Sequence, residues 1–354
     1  MPFDVKALAR PAILTMQAYQ SARSHTHSGS DLVYMDANEL GESTTPELSR
    51  YPEPQPRELV EDLTARFGVT PAHLFLGAGV DDAIDALVRV FCEARRDSIL
   101  ITPPTYGYYA VAAAIQGAEV LSAPLSPETF DFSEAKILAT LRPSTKLVFL
   151  CNPNNPTGNS YQQTRVLQLA KALEGRAILV VDEAYIEFSA ERSLVAEAQR
   201  VPNLVVLRTL SKAWGLAGVR LGAAVADPDI IALMHKVRAP YPISRPAAAA
   251  GAKELARLST DVLQVRLSRV TCERDALAAG LAKLGSVLRV FPSDANFLLI
   301  KTKDAKRFMQ ICSEAGFVVR DRSREWMLQD CVRISVGSAA ENLALLEALA
   351  KGGA

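Results

Sequence analysis

The hydrophobic positions of the chain fall into short continuous runs separated by segments of helical spacing. The runs in "LFLGAG", "SILITPP", "KLVFLC", "AILVVD" and "NLVVLRT" do not alternate with polar residues, which is typical of strands buried on both faces. Between the first two runs, Ile84, Leu87, Val88 and Phe91 recur at the spacing of one helix face. This alternation predicts an α/β fold with a mostly parallel sheet covered by helices.

The two ends of the chain are patterned differently from this middle part. The first fifty residues are irregular, and "LVYMDANE" predicts a short strand followed by a turn. A proline-rich stretch, "YPEPQP", then precedes a helix that we expect to end at Gly68. Beyond Ala248 a helix-rich region is followed by "VLRVFPSDANFLLIKT", "FVVRDRS" and "CVRISVGS", which read as strands, and by a closing helix.

These differences predict three parts. Residues 1–45 would form an N-terminal arm and part of a small domain, residues 46–245 a large domain, and residues 246–354 a small C-terminal α/β domain.

Composition and charge narrow the possible functions. Lysine plus arginine equals aspartate plus glutamate, 39 each in 354 residues, so no strong field favours nucleic acid or an anionic membrane. The five cysteines are odd in number and lack C-x-x-C spacing, which disfavours a disulfide framework or a zinc site. No apolar stretch approaches the ~18 residues of a membrane span, and we expect a cytoplasmic protein.

The segment "TLSKAWGLAGVRLG" contains Lys212, which fits neither the core nor the surface. Burying its ammonium in the core would be costly, and its mostly apolar or small neighbours are not typical of a solvent-exposed lysine. Thr209 and Ser211 offer hydroxyl groups and Arg220 a planar guanidinium, all of which suit a phosphate. Lys212 lies among apolar and small residues, and burial favours the neutral, nucleophilic amine that attacks an aldehyde cofactor. An ordinary basic loop would not explain this spacing.

Three other motifs follow predicted strands, where ligands bind in open α/β sheets. In "LGAGVDDAI" the dinucleotide fingerprint fails, and a plain strand-to-helix turn competes with a phosphate site at the helix N-terminus. Asp182 of "VVDEAY" is either a structural ion partner or the acid that keeps a pyridine nitrogen protonated. "CNPNNPTG" presents Asn154 and Asn155, and we expect a cis peptide bond between Asn155 and Pro156.

Taken together and in this order, these motifs resemble the fold-type I aminotransferases of class II, which use pyridoxal phosphate. With "YPEPQP", "PPTYGYY", "APYPIS" and "CVRISVG" added, the chain is similar over nearly its whole length to the histidinol-phosphate aminotransferase family. The resemblance implies a seven-stranded, mostly parallel sheet in the large domain and a transamination in histidine biosynthesis.

The resemblance also implies residue roles around the cofactor, pyridoxal 5′-phosphate. Lys212 would bind it covalently and move a proton, and Asp182 would pair with the pyridinium. Other residues would contact the ring or the phosphate, namely Asn155, Tyr185 and Tyr106 at the ring and Val80, Asp81, Thr209, Ser211 and Arg220 at the phosphate.

For substrates and partners, the resemblance implies histidinol phosphate, glutamate and 2-oxoglutarate. Arg333, helped by Arg320, would bind the anionic end of the substrate, with Tyr19 and Tyr241 nearby. Tyr51 would reach the phosphate in a neighbouring subunit, which implies a homodimer.

Three interpretations remain open at this point. The chain could be a relative on the same scaffold that acts on aromatic amino acids, a relative that decarboxylates a phospho-amino acid, or a non-catalytic binding protein, although such a protein need not keep Lys212.

His25 and His27 form an H-x-H pair, but without acidic or cysteine neighbours a solvated loop is favoured over a metal site. "DANELGEST" lacks the proline common in this family after its N-E-N or N-E-Y motif, a difference that concerns the substrate-side loop.

Overall fold

The computed structural model of the chain describes residues 4–24, 33–45 and 47–353. Its strands are β1 (Leu74–Gly77), β2 (Ser98–Ile101), β3 (Glu119–Ser122), β4 (Thr145–Cys151), β5 (Ile178–Asp182), β6 (Leu204–Thr209), β7 (Gly222–Val225), β8 (Val287–Val290), β9 (Phe297–Thr302), β10 (Arg320–Asp321) and β11 (Cys331–Ser335).

The α-helices are α1 (Pro11–Thr15), α2 (Arg57–Phe67), α3 (Val80–Phe91), α4 (Tyr108–Gln116), α5 (Glu134–Thr140), α6 (Gln163–Ala172), α7 (Val195–Ala198), α8 (Pro228–Val237), α9 (Arg245–Arg257), α10 (Thr260–Leu281), α11 (Ala305–Glu314) and α12 (Ala339–Lys351).

The first seven strands form one sheet in the order β1-β7-β6-β5-β4-β2-β3. Strands β3, β2, β4, β5 and β6 run parallel, whereas β7 is antiparallel to both of its neighbours, β6 and β1. The predicted fold class, a mostly parallel seven-stranded sheet, is therefore confirmed. All these strands are short and, apart from the edge strand β3, almost entirely buried, as their continuous apolar runs predict.

Helices cover both faces of this sheet, and two apolar cores result. Along β5, Leu179 and Val181 face one core, while Ile178 and Val180 face the other, as the two-residue period of a strand requires. Near the chain start, Val5, Ala9 and Ile13 belong to the second core and so tie the described N-terminal residues to the large sheet.

The second sheet is antiparallel, in the order β10-β11-β9-β8, and packs against α10 and α11, which in turn contact α12. It has its own apolar core, which includes Leu298, Ile300, Val332 and Ile334. The proposed boundaries at 45/46 and 245/246 stay predictions.

Helix ends agree with the sequence signals where glycine is required. Helix α2 ends at Gly68, whose φ of +66° lies in the left-handed region that glycine adopts without strain. Gly222, at the start of β7, lies so close to the start of α3 that a Cβ there would come 2.3 Å from the backbone nitrogen of Val80. A strand can therefore pass directly against the N-terminus of this helix only because position 222 has no side chain.

The strand expected in "LVYMDANE" is not formed by residues 33–39, while Leu32 lies outside the described residues. Charged side chains of this segment make local ion pairs instead: Arg23 contacts Asp36 and Glu39, and Glu39 also pairs with Arg50. Among the described residues no strand pairs with this segment, and it is irregular. In residues 4–24, 33–45 and 47–353, no helix has the length and apolar character needed to cross a membrane.

Candidate active site

A cavity of about 830 Å³ opens at the carboxyl ends of β4, β5 and β6 and faces the N-terminus of α3. Its walls contain most of the residues singled out in the sequence. The lining includes Val80, Asp81, Tyr106, Asn155, Asp182, Tyr185, Thr209, Ser211, Lys212, Arg220, Arg320 and Arg333. Residues from both sheets thus meet at one site.

Asp182 is the last residue of β5 and is buried at the base of the cavity. Its Oδ2 accepts a hydrogen bond of 2.7 Å from the hydroxyl of Tyr109, and its Oδ1 accepts one of 3.1 Å from the amide of Ala184. Burial raises the pKa of Asp182 to about 6, while these two hydrogen bonds act in the opposite direction. A buried carboxylate held this way is suited to pairing with a cation in the cavity.

Tyr109 is the partner that sequence reasoning missed. It lies in α4, is fully buried and stacks on Phe149 with ring centroids 4.7 Å apart. Its hydroxyl donates to Asp182, which is 73 residues later in the chain. "PPTYGYY" contains three tyrosines, and the one that sequence reasoning chose, Tyr106, does line the cavity. The helical register of α4 is what turns Tyr109 inward.

An anion cradle forms where β1 turns into α3. Gly79 has a φ of +93°, and a Cβ there would lie 2.8 Å from Nη2 of Arg220, so glycine makes room for the guanidinium. The free amides at the start of this twelve-residue helix face the same space. Arg220 lies 3.4 Å from Asp81, whose other oxygen accepts a 3.0 Å hydrogen bond from Tyr106.

Lys212 projects into the cavity from the loop between β6 and β7. Its Nζ lies 5.6 Å from the centroid of the Tyr185 ring. The surrounding protein desolvates the amine and lowers its pKa, with the positive charges of Arg333 and Arg220 contributing and Asp182 opposing. The neutral, nucleophilic form of Lys212 is therefore more accessible than in a solvent-exposed lysine.

The loop after β4 aims Asn155 at the cavity. Asn152–Pro153 and Asn155–Pro156 are both cis, so the expected cis bond at Asn155–Pro156 is confirmed. Asn154 is buried, and its amide donates to the carbonyl of Pro104 and to Thr157. Of the two asparagines expected at the sheet end, Asn155 therefore faces the ligand space and Asn154 holds the loop.

Arginines gather at the end of the cavity formed by the small sheet. Arg333 donates a hydrogen bond to Asn155 and lies over the ring of Phe297 at 5.3 Å, while Arg320 is its partner on the neighbouring strand. Arg322 also lines the cavity and was missed in the sequence; its Nε lies 3.0 Å from a carboxylate oxygen of Glu325. The pKa of Glu325 is raised above its ordinary value, because burial outweighs the opposing effect of the nearby arginines.

Three predicted site residues do not line the cavity of their own chain. Tyr51 stacks on Tyr241, with ring centroids 4.5 Å apart and planes 17° from parallel. Tyr51 is 48% exposed and Tyr19 is 75% exposed. Their roles at the site stay predictions, which would need a second subunit in the case of Tyr51.

No group of three or more potential metal-binding side chains occurs in the part of the chain that the structure describes. His25 and His27, the pair noted in the sequence, lie outside that part.

Comparisons with known proteins agree with this geometry. The chain is 39% identical to the histidinol-phosphate aminotransferase of Cytophaga hutchinsonii over 99% of both chains, and 41% identical to that of Stenotrophomonas maltophilia over 98% and 96% of the two chains. Among solved structures, the enzyme of that name from Sinorhizobium meliloti, in complex with pyridoxal-5′-phosphate, matches with a TM-score of 0.77 and 28% identity, covering 86% of this chain and 83% of its own. The one from Clostridium acetobutylicum matches in fold with a TM-score of 0.78 at 24% identity, covering 86% and 90%.

The family profile described as aminotransferase class I and II matches residues 25–349, which is most of the chain. With the lysine, the buried aspartate and the anion cradle assembled in one cavity, the chain belongs to the class I and II aminotransferase family.

Proposed function

We propose that this protein transfers the amino group of L-histidinol phosphate to 2-oxoglutarate, giving imidazole acetol phosphate and glutamate, with pyridoxal 5′-phosphate as cofactor. The observation that carries the proposal is the two-ended cavity. Lys212 lies between an anion cradle at the start of α3 and a group of arginines on the small sheet. Relatives named histidinol-phosphate aminotransferase are about 40% identical to the chain over nearly its full length.

The residues present fit this cofactor. The cradle of Gly79, the first amides of α3 and Arg220 suits a phosphate, because a side chain at Gly79 would collide with the arginine. Asp182, buried and aimed into the cavity, suits a protonated pyridine nitrogen. The bound cofactor would supply the electron sink for breaking a bond at the carbon that bears the amino group.

Each side chain then has a defined task. Lys212, with its pKa lowered, would hold the cofactor covalently and would accept and return the proton at the substrate carbon. Asp182 keeps its charge when it gains a cationic partner. Asn155 and Tyr185 are joined by a 3.4 Å hydrogen bond and line the cavity together with Tyr106, and these three side chains would contact the cofactor ring.

The arginine-rich end supports a substrate with an anionic arm. Histidinol phosphate carries no α-carboxylate, and its phosphate arm takes the corresponding place. Arg333 and Arg320 can meet that phosphate in one half-reaction and the carboxylate of glutamate in the other, since a guanidinium fork fits both.

We also propose that two copies form a homodimer in the cytoplasm and that Tyr51 serves the site of its partner. The support is that Tyr51 lies outside the cavity of its own chain, with about half of its surface exposed. The proline-rich segment "YPEPQP", which Tyr51 opens, forms neither helix nor strand.

A half-reaction screen tests the function. The cofactor-loaded protein is offered histidinol phosphate, phenylalanine, tyrosine and phosphothreonine separately, and the visible absorption band is followed. We expect histidinol phosphate to bleach the band fastest. Faster bleaching by an aromatic amino acid, or carbon dioxide release from phosphothreonine, would assign the chain to a different activity on the same scaffold.

A further inference from the structure

A network of charged side chains lies buried behind the active site, on the sheet face opposite to Asp182. We call it the buried charge network; its members are Glu183, Glu187, Ser193, Arg208 and Trp214. Asp182 and Glu183 are consecutive on β5 and its exit, so their side chains leave on opposite faces. The same alternation separates Arg208 from Thr209 at the end of β6.

The contacts within the network are dense. Arg208 donates a 2.7 Å hydrogen bond to Oε1 of Glu187 and a 2.9 Å hydrogen bond to Ser193. Glu183 is fully buried and accepts from Ser193 and from the amide of Leu194. The indole nitrogen of Trp214 donates to the same Oε1 of Glu187 at 3.2 Å.

Glu187 is the centre of this arrangement. One of its carboxylate oxygens accepts hydrogen bonds from both Arg208 and Trp214. Its other oxygen is buried without a hydrogen-bond partner among the described residues. Through this one oxygen, the Glu187 side chain joins Arg208 on β6 to Trp214 in the loop that carries Lys212. Isolated buried charge is costly, so a carboxylate here needs both donors.

The positions of the network members in the chain connect them to the cofactor-facing residues. Glu187 lies two residues after Tyr185, and Trp214 lies two residues after Lys212. The hydrogen bond between Glu187 and Trp214 therefore ties the Tyr185 segment to the Lys212 loop. Further contacts hold Trp214: Arg266 donates to its carbonyl at 3.3 Å, and the guanidinium of Arg66 lies 5.4 Å from its ring centroid.

We propose that Glu187 is a positioning residue for Lys212, acting through Trp214 on the lysine loop and through Arg208 on strand β6. Its effect is to hold the lysine amine at a fixed place over the Tyr185 ring, where the amine meets the cofactor. The inference rests on the proposed function only in taking Lys212 as the reacting amine.

Two variants test this role. Trp214→Phe keeps an aromatic ring and the pair between Glu187 and Arg208, and removes only the indole donor. Glu187→Gln keeps an oxygen that can accept from both partners and removes the charge. We expect each to keep the cofactor bound and to lower kcat about tenfold, with KM within about threefold, as expected when a reacting group is displaced by a fraction of an ångström.

The decisive readout is spectroscopic. In the loaded protein without substrate, we expect the pH at which the visible band changes to move by about half a unit or more in both variants, because that pH reports the surroundings of the lysine nitrogen. The Glu187→Gln/Trp214→Phe double variant should show less than the sum of the two shifts, since one change weakens and the other removes the same hydrogen bond.

Arg66→Gln is the control for a merely structural effect. It removes the guanidinium over the same indole ring and the hydrogen bonds to the carbonyls of Leu255 and Leu258, but leaves the bond between Trp214 and Glu187. We expect it to lower the melting temperature without moving the band. If Trp214→Phe and Glu187→Gln behave like this control, the positioning role is wrong. A wild-type protein that binds the cofactor but converts no donor would instead count against the proposed function.

Discussion

Arg333 on the small sheet donates a 2.5 Å hydrogen bond to Oδ1 of Asn155 in the loop after β4, 178 positions earlier in the chain. Asn155 in turn donates to the hydroxyl of Tyr185 at 3.4 Å. The arginine that we assign to the substrate is therefore joined directly to the residues that we assign to the cofactor ring. An anion that binds Arg333 therefore competes with Asn155 for this guanidinium, and Asn155 is itself bonded to Tyr185 at the cofactor site.

The first prediction concerns Arg333. Arg333→Lys keeps the charge but loses the two-pronged guanidinium, and we expect KM for histidinol phosphate to rise about 10- to 100-fold, as the loss of a charged hydrogen bond implies. Steady-state kinetics with varied donor measure this. Arg289→Gln, at an exposed arginine of the small sheet, is the matched control and should leave KM unchanged. An unchanged KM in Arg333→Lys would remove this residue from the substrate site.

Lys212→Ala is expected to bind the cofactor without a covalent bond and to lose transamination, because Lys212 is the amine that reaches into the cavity. Borohydride treatment of the native protein, followed by peptide mapping, should place the cofactor on the peptide that contains Lys212. Fixation on any other lysine would overturn the assignment.

The buried carboxylate of Asp182 gives a prediction about pH and stability. The pKa of Asp182 is raised in the folded protein to about 6. Ionisation of this carboxyl therefore destabilises the cofactor-free fold fully above pH 6. The destabilisation fades as the pH falls toward about 4, the pKa of the carboxyl in the unfolded chain. We expect Asp182→Asn to raise the free energy of unfolding of the cofactor-free protein at pH 8 by about 2–3 kcal/mol, and by much less near pH 4.

Chemical denaturation of both proteins without cofactor, at several pH values, checks this expectation. Tyr109→Phe serves as the paired variant, since it removes a hydrogen bond that favours the ionised carboxylate. It should lower stability further at pH 8. A gain from Asp182→Asn that does not vary with pH would mean that the charge is not the cause.

Tyr51 is expected to act across a dimer interface. Tyr51→Phe should weaken cofactor binding about tenfold, the value of one hydrogen bond to a charged group, and leave the fold intact. Equilibrium binding followed by absorbance measures the change. Tyr241→Phe is the control, because it keeps the ring that stacks on Tyr51.

Mixing chains tests whether the site is shared. Lys212→Ala chains mixed with Tyr51→Trp chains should form hybrids in which one site collects both defects and the other is intact, so about a quarter of wild-type activity returns. If chain exchange is demonstrated and no activity returns, Tyr51 serves only its own subunit.

Strand ends were the part of the site that the sequence could predict. Asp182, Asn155 and Thr209 each follow a continuous apolar run, and such runs specify where polar side chains meet at the sheet edge. Tyr109 and Arg322 could not be found this way. The tyrosine reaches Asp182 through the packing of a helix 73 positions away, and the arginine depends on how the second sheet lies against the first.

The missing strand in "LVYMDANE" has a similar origin. Its apolar run from Leu32 to Met35 suits a strand, but a strand needs a neighbour to pair with. Glu39 instead accepts the amide of Tyr51 and pairs with Arg23 and Arg50. Burial and these charge pairs act in opposite directions on the pKa of Glu39, and the net result is a lowered value. Local periodicity does not contain this information.

The reversed direction of β7 determines how the lysine loop tolerates change in length. Because β6 and β7 are antiparallel neighbours, Thr209 pairs with Gly222, and the amide of Leu210 bonds the carbonyl of Leu221, so the segment between them is a closed hairpin loop. Lys212 lies near the start of this loop and Arg220 near its end. An inserted residue anywhere between them would have to bulge within this loop, and we expect it to shift the Lys212 amine relative to the anion cradle. Most surface loops accept insertions freely; here the number of residues, as much as their identity, is part of the active site.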